Sequence, residues 1–280
     1  MARIFMMFPG GRNKALTLSY DDGVQQDMRL IEIMKANGLK GTFNINTGLF
    51  APEGTVFPEG VIHRRMTRRQ CLELYKDSGM EVAVHGLTHP FLEQLATGCC
   101  VHEILTDRMN LEKDYGCIIR GMAYPFGTYN NDVVSVLKQC GIVYARTVES
   151  THSFDIPQDW LRLPATCHHN DPELMELAND FLEEDRYGRP KLFYLWGHSY
   201  EFEQKDNWHV IEDFAGFIGN RDDVWYATNI EIYEYIEAYN RLIFSADGTS
   251  IYNPSSTQVY FSLDGKIYSI APGAKCQIHS

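Results

Sequence analysis

The sequence predicts an α/β fold: a distorted seven-stranded (β/α) barrel followed by a small C-terminal antiparallel β appendage. Three observations predict it. Seven short apolar runs alternate with stretches of helical periodicity over residues 14–240, the pattern of parallel strands covered by helices. The chain has 280 residues, which suits a closed barrel of about 250 residues plus a small extra unit. From about Arg241 the helical spacing stops and turn-bounded alternation takes over. An open doubly wound sheet is the alternative, but no Gly-x-Gly-x-x-Gly follows the first strand, which argues against a dinucleotide-binding version.

Strand one is read at 16–20, where Leu16, Leu18 and Tyr20 alternate, and it runs directly into Asp21-Asp22-Gly23. Leu30, Ile31 and Met34 set a helix over 27–37 that stops at Gly38. Residues 41–46 form strand two, and a polar loop containing Gly and Pro spans 48–60. Thr67-Arg-Arg-Gln70 has the form of a capping box and opens a helix ending near Gly79. Strand three is 81–84, leading into His85-Gly-Leu-Thr-His89-Pro90.

The alternation continues with a helix over 101–115, strand four at 118–124, a helix over 131–140 and strand five at 142–146. A long polar connection through Trp160 and His169 reaches Asp171-Pro172, suited to the N-cap and first helical position of a helix carrying Leu174, Leu177, Ala178 and Phe181. Strand six is 192–196, a helix covers 206–218, strand seven is 224–227, and Thr228-Asn-Ile-Glu231 caps the last helix. Residues 1–240 are thus the barrel domain. Residues 241–280 are the β-rich appendage, with Asp264-Gly265 as a hairpin turn and packing against the barrel as its expected role.

Composition narrows the partners. The net charge is −12 with no basic run, which disfavours nucleic acid and bare anionic membrane. No apolar segment reaches 18 residues, and residues 1–15 lack the apolar core of an export signal, so a cytoplasmic location is expected. Seven cysteines, an odd number without Cys-x-x-Cys spacing, point to free thiols in a reducing compartment.

The polar residues collect at one end of this map. Asp21 and Asp22 follow strand one, His85 and His89 strand three, Tyr124-Pro125-Phe126-Gly127 strand four and His198 strand six. Catalytic groups of parallel barrels sit at this C-terminal end of the strands. His85 and His89, four apart, together with one aspartate make a two-His, one-carboxylate set that leaves positions open on a divalent metal. Zinc is the first choice; iron, cobalt and nickel also fit. Pro90 disfavours helical geometry at His89, so the turn is expected to be irregular. His198, at the end of an apolar strand, is a candidate general acid. His168 and His169 are read as rim residues, and His63, His102, His152, His209 and His279 as structural or solvated.

These motifs resemble the polysaccharide deacetylases of carbohydrate esterase family four. Ser19-Tyr20-Asp21-Asp22-Gly23 is similar to that family's Thr-Phe-Asp-Asp-Gly, and His85-Gly-Leu-Thr-His89 to its His-(Ser/Thr)-x-x-His. Ala123-Tyr124-Pro125-Phe126-Gly127 resembles Arg-x-Pro-Tyr-Gly without the Arg and Tyr. Asp159-Trp160 resembles a fourth motif, and Trp196-Gly-His198 the final Leu-x-His. The resemblance implies a distorted seven-stranded barrel that removes N-acetyl groups from an amino sugar or polysaccharide. It implies Asp22, His85 and His89 as metal ligands, Asp21 as general base and His198 as general acid. It further implies the Phe126 backbone N–H as an oxyanion donor. Trp196, Tyr124, Pro125 and Trp160 would line the substrate site, and Asp159 or Asp155 would tune His198. With Ala123 in place of the family's Arg, Arg146 or Arg120 is expected to orient Asp21. The alternatives are hydrolysis of another small-molecule C–N amide bond, or sugar binding without catalysis.

Overall fold

The computed structural model describes residues 4–278; His279 lies outside them. The chain starts with β1 (Ile4–Met7) and continues as β2 (Lys14–Asp21), which is buried along its whole length. Then come α1 (Asp27–Ala36), β3 (Gly41–Ile45), α2 (Arg68–Tyr75) and β4 (Glu81–Val84). Next are α3 (Thr97–Tyr115), β5 (Gly121–Ala123), α4 (Asn131–Gln139) and β6 (Tyr144–Ser150). The expected 118–124 strand is therefore only three residues long.

Two short strands, β7 (Leu163–Ala165) and β8 (Cys167–His168), lie in the stretch expected to be a polar connection. β7 runs parallel to β6, with Arg146 opposite Leu163, and β8 runs parallel to β9 (Lys191–Gly197), with Cys167 opposite Leu195. Residues 163–168 thus carry the sheet from one edge to the other and close it. The ring is β2-β3-β4-β5-β6-β7/β8-β9, seven positions and all parallel. The expected seventh strand, β10 (Val224–Tyr226), instead runs beside Lys14–Leu16 of β2, on the edge that β3 occupies from Leu18 onward. The signal for the true seventh strand was the alternation of Leu163, Ala165 and Cys167, all buried.

Between β8 and β9, α5 (Leu174–Leu182) turns its apolar face inward as expected, but Asp171 is not its N-cap. Asp171 accepts from the Glu173 N–H at 3.0 Å, and the helix opens two residues later. After β9, a short α6 (Tyr200–Gln204) precedes α7 (His209–Ile218). Both predicted capping boxes form, at Thr67 and Gln70 of α2 and at Thr228 and Glu231 of α8 (Asn229–Asn240). Thr228→Ala is expected to cost about 1 kcal/mol in a urea unfolding titration, because it orphans a helical N–H at a buried end.

α8 joins the barrel to the tail. Ile232, Tyr235 and Ile236 pack on Phe8 and Leu192, while Ala238 shares a second cluster with Ile251, Val259 and Phe261. The tail comprises β11 (Ile243–Phe244), β12 (Ser250–Tyr252), β13 (Val259–Leu263), β14 (Lys266–Ile270) and β15 (Lys275–Gln277). β11-β12-β15 form one antiparallel sheet, and β1 completes β13-β14 as the other. The appendage therefore includes the start of the chain as well as its end.

Candidate active site

The end of β2 with its following turn, the loops after β4 and β9, and Arg146 within β6 bring Asp21, Asp22, His85, His89, Arg146 and His198 together. Asp21 is the last residue of β2 and is 3% exposed. Asn44 Nδ2 donates to its Oδ1 at 2.8 Å, and Arg146 pairs with its Oδ2. His85 Nε2 and His198 Nε2 stand 3.8 and 3.7 Å from the same Oδ2. Burial pushes this carboxyl up, but Arg146, His85 and His198 outweigh burial and hold it below the ordinary value.

Asp22 turns the other way with a left-handed backbone, φ 84°. Its oxygens accept from Arg65 Nη2 at 2.9 Å and face His63 Nε2 at 3.0 Å. These partners overcome its burial and keep it well below the usual carboxylate range. Its remaining lone pairs can still serve a cation.

His85 follows β4, and its Nδ1 donates to the Ala123 carbonyl at 2.8 Å. That bond places the proton on Nδ1 and leaves the lone pair on Nε2, a buried atom with no protein partner. An orphaned imidazole lone pair beside a carboxylate is what a metal ligand requires. The candidate ligand atoms of Asp22, His85 and His89 lie within 4.8 Å of one another. His89 is held to about 4, first by burial and then by His85, so it is neutral at pH 7, as a ligand must be.

The expected irregular turn is present: Gly86 has φ 73° and His89 φ 54°. A Cβ on Gly86 would sit 3.3 Å from both Pro125 and Pro90, so this left-handed backbone disfavours the hydroxyl residue that the resembled motif carries. Phe126 is also left-handed, φ 58°. Asp22, His89 and Phe126 thus place three strained residues around one point.

His198 follows β9. Burial alone would lower it, but Glu201, Asp21 and Asp22 raise it above the ordinary histidine value. Glu201 Oε1 lies 3.3 Å from His198 Nδ1. Trp196 is nearly buried, with the Arg146 guanidinium 4.4 Å from its ring centroid and the His198 ring 5.9 Å away. Pro125 is buried beside Gly86.

Other expected residues lie elsewhere. The Tyr124 side chain is buried, stacks on Tyr129 and donates its hydroxyl to the Leu161 carbonyl, so it points into the wall rather than the site. Trp160 packs edge-on against Tyr233 of α8. Asp159 caps the turn at Leu161 and pairs with Arg162, and Asp155 binds Ser153; both are exposed, and neither partners His198. Arg120 pairs with Glu234. Sequence reasoning missed Asn44, His63, Arg65 and Glu201. Only Glu201 left a signal, three residues after His198 on a short helical turn.

The polysaccharide deacetylase family model matches residues 10–145. Over this stretch, just under half of its length, the chain is similar to the polysaccharide deacetylase family. No curated protein matches the chain. Among solved structures, a Mycobacterium smegmatis chain assigned to the polysaccharide deacetylases aligns with TM-score 0.57 at 18% identity, covering 83% of this chain and 93% of that one. The peptidoglycan deacetylase PdaC of Bacillus subtilis aligns with TM-score 0.50 at 16% identity, covering 81% and 94%. The Streptococcus pyogenes deacetylase PplD aligns with TM-score 0.45 at 22% identity, and the alignment spans only 52% of this chain and 62% of that one. The first two likenesses concern the fold, and they agree with the parallel barrel described above. Among the described residues no helix is long and apolar enough to cross a membrane, and all seven cysteines are free.

Proposed function

We propose that this chain is a metal-dependent hydrolase that removes N-acetyl groups from an amino sugar or its polymer. Asp22, His85 and His89 would hold one divalent metal, zinc by first choice from this donor set, which when bound acts as a Lewis acid on the acyl carbonyl. Asp21, ionised and held from both sides, takes a proton from the attacking water. The new C–O bond makes a tetrahedral carbon, whose oxyanion the Phe126 N–H would receive. As the C–N bond breaks, His198 gives its proton to the departing amine. Trp196 walls the space beside His198 as the apolar surface for the acetyl methyl.

The observation that carries this reading is the pairing of Asp21 and His198, 3.7 Å apart beside the orphaned His85 nitrogen. The carboxyl is held below its ordinary value and the imidazole raised above its own, which suits a base and an acid side by side. Arg146 further supports catalysis over sugar binding alone. It stands in register with Ala123 on the adjacent strand, so the missing guanidinium arrives from the neighbouring strand at the same level. The Phe126 role uses the main chain and survives loss of the Tyr side chain.

The test is metal analysis with acetate-release assays on N-acetylated oligosaccharides. Chelation should abolish release, and zinc should restore it. His85→Ala should lose both metal and activity, with added zinc restoring neither. Release that persists in the chelated enzyme would overturn the reading.

A further inference from the structure

Glu201 has a setting that metal binding and proton abstraction leave unexplained. It lies one helical turn past His198, with its N–H donated to the His198 carbonyl at 3.1 Å. Four side-chain nitrogens from two directions surround its carboxylate: Asn170 Nδ2 makes a hydrogen bond, and three histidine nitrogens stand at ion-pair distance. His198 Nδ1 is 3.3 Å from Oε1. On Oε2 converge His169 Nε2 at 3.0 Å, His168 Nε2 at 3.3 Å and Asn170 Nδ2 at 2.8 Å.

The last three are consecutive residues at the end of the strand that closes the barrel. His169 is fully buried, lies in a 4.1 Å stack with Phe202 and packs beneath Gly197, where a Cβ would fall 2.0 Å from its Nδ1. The cluster is therefore fixed by packing before any substrate binds.

Hydrogen bonds decide what the cluster is for. His168, His198 and Glu201 are close enough to ligate a second cation. However, His168 Nδ1 accepts the Asn170 N–H at 3.1 Å. That use of the Nδ1 lone pair puts the ring proton on Nε2, which faces Glu201 Oε2 at 3.3 Å as an N–H and cannot ligate. The carboxylate sits among N–H groups, with a hydrogen bond from Asn170 Nδ2 and the histidine rings at 3.0–3.3 Å.

We propose that Glu201 is the positioning residue of His198, accepting its Nδ1–H and so aiming Nε2 at the reaction centre beside Asp21. His168, His169 and Asn170 hold the carboxylate at its far oxygen. The inference rests on the functional reading above, taking His198 as the acid, and it transfers to Glu201 the part expected of Asp159 or Asp155.

The test compares Glu201→Gln and Glu201→Asp with the parent by steady-state acetate release, metal content and 15N NMR of histidine-labelled protein. The parent His198 should carry a proton on Nδ1. Glu201→Gln should lose that signature and lower kcat by about 10²-fold, the low end of a positioned acid's contribution. KM and the metal count should stay unchanged, and Glu201→Asp should recover part of the rate and the signature.

An unprotonated Nδ1 in the parent, or kcat within twofold in Glu201→Gln, would overturn the proposal. So would a second metal per chain that Glu201→Gln removes. If the parent releases no acetate, the deacetylase reading fails, while the NMR arm still decides whether Glu201 orients His198.

Discussion

Asp21→Asn is expected to lower acetate release by about 10²–10⁴-fold while one divalent metal per chain stays bound, because it removes the base and leaves Asp22, His85 and His89 in place. Asparagine keeps the shape but offers a single acceptor oxygen where Asp21 now serves both Asn44 and Arg146. One of those donors must lose its partner. The variant should therefore also melt below the parent. Metal content and circular dichroism separate this cost from the lost proton transfer. Turnover within tenfold of the parent would remove Asp21 from the base role.

The second large effect is at Arg146. Its side chain is 1% exposed, pairs with Asp21 and sits over Trp196. Removing one partner of a buried pair leaves the other charge stranded, typically a loss of about 3–5 kcal/mol. Arg146→Ala should therefore unfold at markedly lower urea and, assayed at low temperature where it stays folded, turn over slowly with its metal intact. Arg146→Lys keeps a charge but not the guanidinium plane that spans Asp21 and the Trp196 face, so it should recover stability better than turnover. Unchanged turnover in Arg146→Ala would retire the orienting role.

Both predictions rest on a juxtaposition that sequence only half discloses. The turn after β2 and the His85/His89 pair are local, written in adjacent residues, and they read directly as an acidic strand end and a ligand pair. Arg146 entered the sequence reading only as one of two candidates to replace a missing arginine. The register between β5 and β6 selects it, because Ala123 lies opposite Arg146, whereas Arg120 turns to Glu234. Glu201 is the opposite case. Its spacing from His198 is local, but its meaning depends on His168, His169 and Asn170, which arrive from a strand read as a connection.

By itself the sequence determined the barrel class, most helix and strand positions, both capping boxes and the end of the barrel where polar residues gather. Those features depend on periodicity and near-neighbour hydrogen bonds, which act within a few residues. The tertiary structure alone decided which strand closes the ring, that Ile4–Met7 joins a sheet with a partner near residue 260, and which carboxylate faces His198. It also turned Tyr124, Trp160 and Asp159 away from the site. The reason is physical. Strand pairing and side-chain burial are settled between segments far apart in the chain, by which edges remain open and which polar groups find partners, and a motif read along one segment carries neither.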